Sequence, residues 1–122
     1  MSDCQRALDP HLVTLGSHSH THPQLSQLSQ EELACELTTS KRLLEEWSGR
    51  TVQHFAYPSG DYDARVIEAI RTAGYASAWT TEPRALSPDD DRYQMPRIPI
   101  DDHASLGILL TKMTPWIHRW AQ

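Results

Sequence analysis

Cysteine is nearly absent from this 122-residue chain: only Cys4 and Cys35 occur, far apart and with no Cys-x-x-Cys. That count and spacing argue against a zinc ribbon or a disulfide framework and leave two free thiols. Cys35 falls in a segment of helical periodicity, where the expectation is a small packing residue. Basic residues are also in the minority, eleven Lys plus Arg against sixteen Asp plus Glu, for a net charge of -5. No run of them forms a stripe able to neutralise a phosphate backbone, so nucleic acid is not an expected partner. Long apolar runs are missing as well. Residues 106–110 fall far short of the roughly 20 residues that a membrane span needs. The opening Met1-Ser2-Asp3-Cys4-Gln5-Arg6 lacks the apolar core of a secretory leader. The expectation is a soluble chain with no visible export signal, its localisation left open. Its length suits a single core, that of one domain or part of one.

Histidine, by contrast, is concentrated. Gly16-Ser17-His18-Ser19-His20-Thr21-His22-Pro23 sets three imidazoles within five positions, at the end of an apolar run. Neutral imidazole is the commonest protein ligand for zinc, and two His four residues apart, as His18 and His22 are, reach one ion from a helical turn or a curled loop. The same spacing also occurs in polar loops whose imidazoles are merely solvated. The cluster is internal and interrupted by Ser and Thr, which excludes an artificial tag.

The local signals alternate between strand and helix. Residues 12–15 are apolar and β-favouring, with Gly16 ending the run, so the His cluster is expected at the C-terminal tip of a strand. Ser29-Gln30-Glu31-Glu32 has the form of a capping box and opens a helix to about Trp47, with Leu33, Leu37, Leu44 and Trp47 as its buried stripe and Gly49 as its stop. Residues 52–57 read as a second strand closed by Pro58-Ser59-Gly60. Asp63 caps a second helix carrying Val66, Ile67, Ile70 and Ala73, ended by Gly74. Residues 75–80 make a third strand, 82–93 a solvated loop, and 97–100 a short edge strand broken by Pro99. Residues 105–113 are helix-like, and Thr114-Pro115 starts a last turn bearing Trp116 and Trp120. Alternation of this kind implies βαβ units and parallel pairing. About four strands with two or three helices would leave an edge exposed, as in one part of a larger α/β barrel or sheet.

The motifs come in a telling order. The His segment is followed by Leu28-Ser29, by Phe55-Ala56-Tyr57-Pro58-Ser59-Gly60-Asp61-Tyr62, by Ala73-Gly74-Tyr75 and Trp79-Thr80-Thr81, and by Pro96-Arg97-Ile98. Over roughly residues 8–110 this set resembles the polysaccharide deacetylase (NodB homology) family. The resemblance implies a distorted (β/α) barrel, here an incomplete one over residues 1–113 with a helical tail at 114–122. It implies a hydrolase that uses a divalent metal, with zinc the expected ion, to remove acetyl groups from carbohydrate such as an N-acetylglucosamine polymer. Carried over to this chain, the metal ligands are His18 and His22, with His20 the variable middle position and Ser19 and Thr21 shaping the loop. The Ser59 backbone N–H becomes the oxyanion donor, and Tyr57, Pro58, Gly60, Trp79 and Arg97 contribute to the substrate groove.

The chain also departs from the family pattern. The family's first motif, Thr-Phe-Asp-Asp, supplies the catalytic base and a third metal ligand upstream of the His segment, and neither Ser2-Asp3-Cys4 nor Leu8-Asp9-Pro10 matches it. Ala56 stands where many members carry Arg, a loss for which Arg97 is the candidate substitute. The family's late Leu-x-His motif has no counterpart, since His103 follows Asp101-Asp102. A base contributes about 10²–10⁴-fold to such a reaction, so the expectation is a weak enzyme or an inactive one when alone. Two alternatives stay open. One is a non-catalytic carbohydrate-binding fragment, or one that depends on a second chain for missing strands. The other is a His-based metal-binding module.

Overall fold

The computed structural model describes residue 3 and residues 8–113. Three short strands form its sheet: β1 (Gly16–Ser17), β2 (His54–Ala56) and β3 (Ser77–Trp79), in that spatial order and all parallel. Helix α1 (Gln30–Ser48) connects β1 to β2, helix α2 (Ala64–Thr72) connects β2 to β3, and helix α3 (Leu106–Met113) follows an irregular segment. Two successive βαβ units therefore make the expected parallel α/β layer. No helix among the described residues is long and apolar enough to cross a membrane.

The helix ends follow from local chemistry. The Ser29 side chain accepts from the Glu32 N–H while the Glu32 carboxylate accepts from the Ser29 N–H, a complete capping box. Gly49 ends α1 in the left-handed region at φ 69°, where a side chain would be strained. Asp63 caps α2 through the Val66 N–H at 2.9 Å.

Packing follows the strand period. Ser17, Phe55 and Ala78 are aligned across the sheet and buried on the helix side, where Leu33 and Leu37 of α1 and Val66 and Ile70 of α2 join the core. Each such apolar side chain contributes about 1.5–3 kcal/mol on burial. The core is stitched by hydroxyls. Tyr57 donates to the Tyr93 carbonyl at 2.7 Å, Tyr93 to the Tyr75 carbonyl at 3.0 Å, and Tyr75 to the Leu37 carbonyl at 3.0 Å. Ser17 and Ser40, both buried, share a bond of 2.8 Å that ties the end of β1 to α1. Among the described residues no buried side-chain polar atom lacks a partner.

Several expectations are corrected. The first strand is not at residues 12–15: the Leu12 and Val13 N–H groups both donate to the Asp9 carbonyl, at 3.0 and 2.8 Å, which curls the chain and leaves Leu12 83% exposed. Gly16 thus begins β1 rather than ending a strand. Residues 97–100 form no strand either, since Pro96 and Pro99 remove donors. A fourth sheet position is occupied by a single parallel bridge between Trp79 and Met95, with the Met95 N–H donating to the Ala78 carbonyl at 3.0 Å. Trp47 is 40% exposed, because the buried stripe of α1 continues through Ser40 and the half-buried Leu44 and then turns away from the core. Cys35 is exposed, not packed. The expected turn with Trp116 and Trp120 lies outside the described residues.

Candidate metal site

Adjacent parallel strands bring two loops side by side. The segment from His18 to Pro23 leaves the C-terminal end of β1, and the segment from Tyr57 to Asp61 leaves that of β2. His18 Nδ1 stands 2.8 Å from the Ala56 carbonyl oxygen. A carbonyl only accepts, so Nδ1 carries the proton and the neutral ring keeps its lone pair on Nε2. The His22 ring meets the His18 ring edge-on, with centroids 4.8 Å apart at 67°.

This approach demands an unusual backbone. Ser19 at φ 66° and His22 at φ 60° are in the left-handed region, and so is Ser59 at φ 56° in the neighbouring turn. Among the described residues these three are the only non-glycine positions with positive φ. Each costs roughly 1–2 kcal/mol, and such strain concentrates at functional sites. The Ser19 hydroxyl accepts the His22 N–H at 3.0 Å. From α1, Glu36 accepts the His20 and Thr21 N–H groups, both at 2.9 Å, and the Thr21 hydroxyl at 2.6 Å. Partial burial pushes the Glu36 carboxyl up, but the Thr21 hydroxyl, the two N–H groups and the His20 imidazole outweigh it and hold it below the usual carboxylate range.

The second loop is a 3-10 turn, Pro58–Gly60. The Gly60 N–H donates to the Tyr57 carbonyl and the Asp61 N–H to the Pro58 carbonyl, each at 3.0 Å, so the turn's own bonds leave out the Ser59 N–H. Gly60 is at φ 67°, and a Cβ there would collide with the Thr81 side chain. Asp61 accepts the Ser26 N–H and hydroxyl, both at 2.8 Å, which fastens this turn to the chain just beyond the His loop.

The remaining expected residues divide. Pro58 is buried beneath the turn. Tyr57 is not a groove wall: its ring is fully buried, stacked on Tyr62 at 4.6 Å. It lies two residues after Phe55 and so follows it to the helix side. Burial, reinforced by Tyr62, Asp91 and Tyr93, pushes its phenol far above the ordinary value. Trp79 is half-buried, and its indole N–H donates to the Ser77 hydroxyl at 3.1 Å. Arg97 is exposed, with its Nε donating to the Thr80 carbonyl at 2.8 Å. With Thr81, Ile98 and Pro99 it lines an open cavity of about 270 Å³. Thr81 is the residue pressed against Gly60, so the cavity borders the turn. His103 stays apart, paired loosely with Asp102 at 3.8 Å.

As a donor set, two neutral imidazoles suit zinc or a similar borderline ion. Among the described residues no third His, Cys, Asp or Glu joins them to form a metal-holding group. Glu36 and the Ser26–Asp61 pair were not expected from the sequence. The one signal for Glu36 was the phase of α1: with Leu33 and Leu37 turned inward, position 36 falls on the flank beside them.

Comparison with known proteins places the chain in a family. Residues 3–78 match the family model described as polysaccharide deacetylase. The chain is 30% identical over 88 residues to YxkH of Bacillus subtilis (strain 168), a protein named within that family, covering 72% of this chain and 32% of the relative. It is 30% identical over 83 residues to the chitooligosaccharide deacetylase of Azorhizobium caulinodans, covering 66% of this chain and 38% of that protein. Among solved structures, the Streptococcus pyogenes deacetylase PplD, determined with acetate, superposes with a TM-score of 0.78 at 28% identity, over 82% of this chain and 44% of that one. The chain thus spans about a third of the length of the curated relatives it matches.

Proposed function

Because the chain belongs to the polysaccharide deacetylase family, we propose that it contributes part of the active site of a metal-dependent carbohydrate deacetylase acting on an N-acetylglucosamine-type polymer. The observation that carries the reading is His18: its Nδ1–H is spent on Ala56 and its ring touches His22, so two imidazoles converge beside the Ser59 turn. His18, through Nε2, and His22 would hold a divalent ion, with zinc the expected one. When bound, such an ion polarises the acetyl carbonyl and lowers the pKa of water. The Ser59 N–H is the donor available to the oxyanion that develops on that carbonyl. Arg97 and Thr81 offer polar groups to the sugar along the adjoining cavity, and Trp79 ends β3 in register with Ala56.

General base catalysis needs a group with a free lone pair near the reacting water, a carboxylate in this family. Glu36 is poorly suited to the task, since, despite partial burial, three donors stabilise its ionised form and hold its carboxyl below the usual range, which makes it a weaker base. The family's Thr-Phe-Asp-Asp motif, which carries its base, has no match in this sequence, so the expectation is that this chain alone is a weak catalyst. The same observation favours a second reading, a carbohydrate-binding fragment without chemistry of its own, or one completed by a second chain.

Zinc titration separates these from a plain metal module. His18→Ala and His22→Ala should each abolish measurable binding, while His20→Ala should change it little. Equal losses for all three would favour a three-imidazole module and overturn the assignment. Turnover of a chitin oligomer by the purified chain at the rate of a complete enzyme would overturn the prediction of weak activity.

A further inference from the structure

The His loop is exposed, yet it holds two strained residues and one ring-to-ring contact in place. His18, His20, Thr21 and His22 are all exposed, so apolar burial does not fix their conformation. The hydrogen bonds are what remain, and most of them converge on one group. The Glu36 carboxylate places Oε2 on the His20 and Thr21 N–H groups and Oε1 on the Thr21 hydroxyl. The residues it grips, His20 and Thr21, are two of the three between His18 and His22. Its own position is set by α1, whose start is fixed by the capping box and whose next residue, Leu37, is fully buried.

We propose that Glu36 is a positioning residue for the metal pair: by clamping residues 20 and 21 to α1 it holds His18 and His22 against each other before any ion arrives. This rests on the reading of His18 and His22 as ligands. A carboxylate suits the task because it accepts from three donors at once and forms stronger bonds than a neutral acceptor. Without the clamp, residues 19 and 22 relax out of the left-handed region, and binding an ion then requires the loop to be ordered again. Outer partners of metal ligands typically account for about 10–100-fold in affinity.

Glutamine discriminates geometry from bulk stability. Its amide oxygen can accept both N–H groups while its NH₂ donates to the Thr21 oxygen, so Glu36→Gln should keep the clamp. Glu36→Ala removes all three bonds, and Glu36→Asp is one methylene too short. Zinc sulfate would be titrated into each full-length variant by chelator competition, with thermal melts to identify folded protein. The expected result is a 10–100-fold loss of affinity for Glu36→Ala and Glu36→Asp and near wild-type affinity for Glu36→Gln. Wild-type affinity in a folded Glu36→Ala, or equal losses for Gln and Ala, would overturn the proposal. If Glu36→Ala fails to fold, Thr21→Val carries the test: it removes the hydroxyl leg alone, and an unchanged affinity overturns the clamp. Should His18→Ala and His22→Ala bind zinc as wild type does, the ligand reading fails whatever Glu36 does. If they lose zinc and Glu36→Ala does not, only the clamp fails.

Discussion

The Nδ1–H of His18, on one loop, donates a hydrogen bond to the backbone carbonyl of Ala56 on the neighbouring strand at 2.8 Å. That bond joins the His loop to the last residue of β2, just ahead of the second loop, and leaves Nε2 as the ring nitrogen with the free lone pair.

It makes the tautomer a measurable property of the metal-free protein. Long-range ¹H–¹⁵N correlation spectra at neutral to mildly alkaline pH should show His18 protonated at Nδ1 and bare at Nε2. Saturating zinc should then shift the Nε2 signal. Metal affinity should also fall as the pH is lowered, because a protonated imidazole has no lone pair to give. A His18 protonated at Nε2 would contradict the Ala56 bond and the site built on it.

Two neighbouring positions in the second loop should respond in opposite directions. Gly60→Ala places a Cβ at φ 67° and against Thr81, so it should destabilise by about 1–3 kcal/mol. Ser59→Gly relieves a strained φ of 56°, worth roughly 1–2 kcal/mol. The extra freedom of glycine in the unfolded chain takes back about 0.4–1 kcal/mol. The net expectation is a stabilisation of up to about 1.6 kcal/mol, read from urea unfolding midpoints. Equal effects at the two positions would show that backbone strain does not govern this turn.

The Glu36 carboxyl should leave a signature in acid. Its folded pKa lies below the ordinary value of 4.5, set by partial burial that raises it and by the Thr21 and His20 donors that outweigh burial. A depressed carboxyl contributes stability that is fully present above the unfolded value and is lost as the pH falls through the folded one. The thermal midpoint of the wild type should therefore drop relative to Glu36→Gln as the pH is taken below about 4.5. The contribution is modest because the group is only half-buried and is screened by solvent. A constant difference between the two proteins across that range would refute the assigned shift.

Much of the framework was legible along the chain because it depends on neighbours in sequence. The Ser29 box, the Gly49 stop and the Asp63 cap all act within one helical turn, and each operates as its residues suggested. The place of His18 and His22 beyond a strand end was legible in the same way. Where a local preference met a stronger tertiary demand, the reading failed. Residues 12–15 favour a strand, but the turn at Asp9 uses the Leu12 and Val13 donors. Trp47 and Cys35 have the composition of core residues, but Trp47 is 40% exposed and Cys35 is exposed.

By itself, then, the sequence determined the α/β alternation, the helix boundaries and the identity of the two facing imidazoles, since propensity, capping and motif spacing are properties of short stretches. The tertiary structure alone decided which groups serve that pair. Tyr57 went to the core because Phe55 defines the buried face of β2. Glu36 became the clamp because α1, packed on the sheet, carries it to residues 20 and 21. Asp61 became a tie because Ser26 lies beside its turn. Hydrogen bonds between residues fifteen to thirty-eight positions apart leave no local signature. They exist only once apolar burial has brought the elements that carry them together.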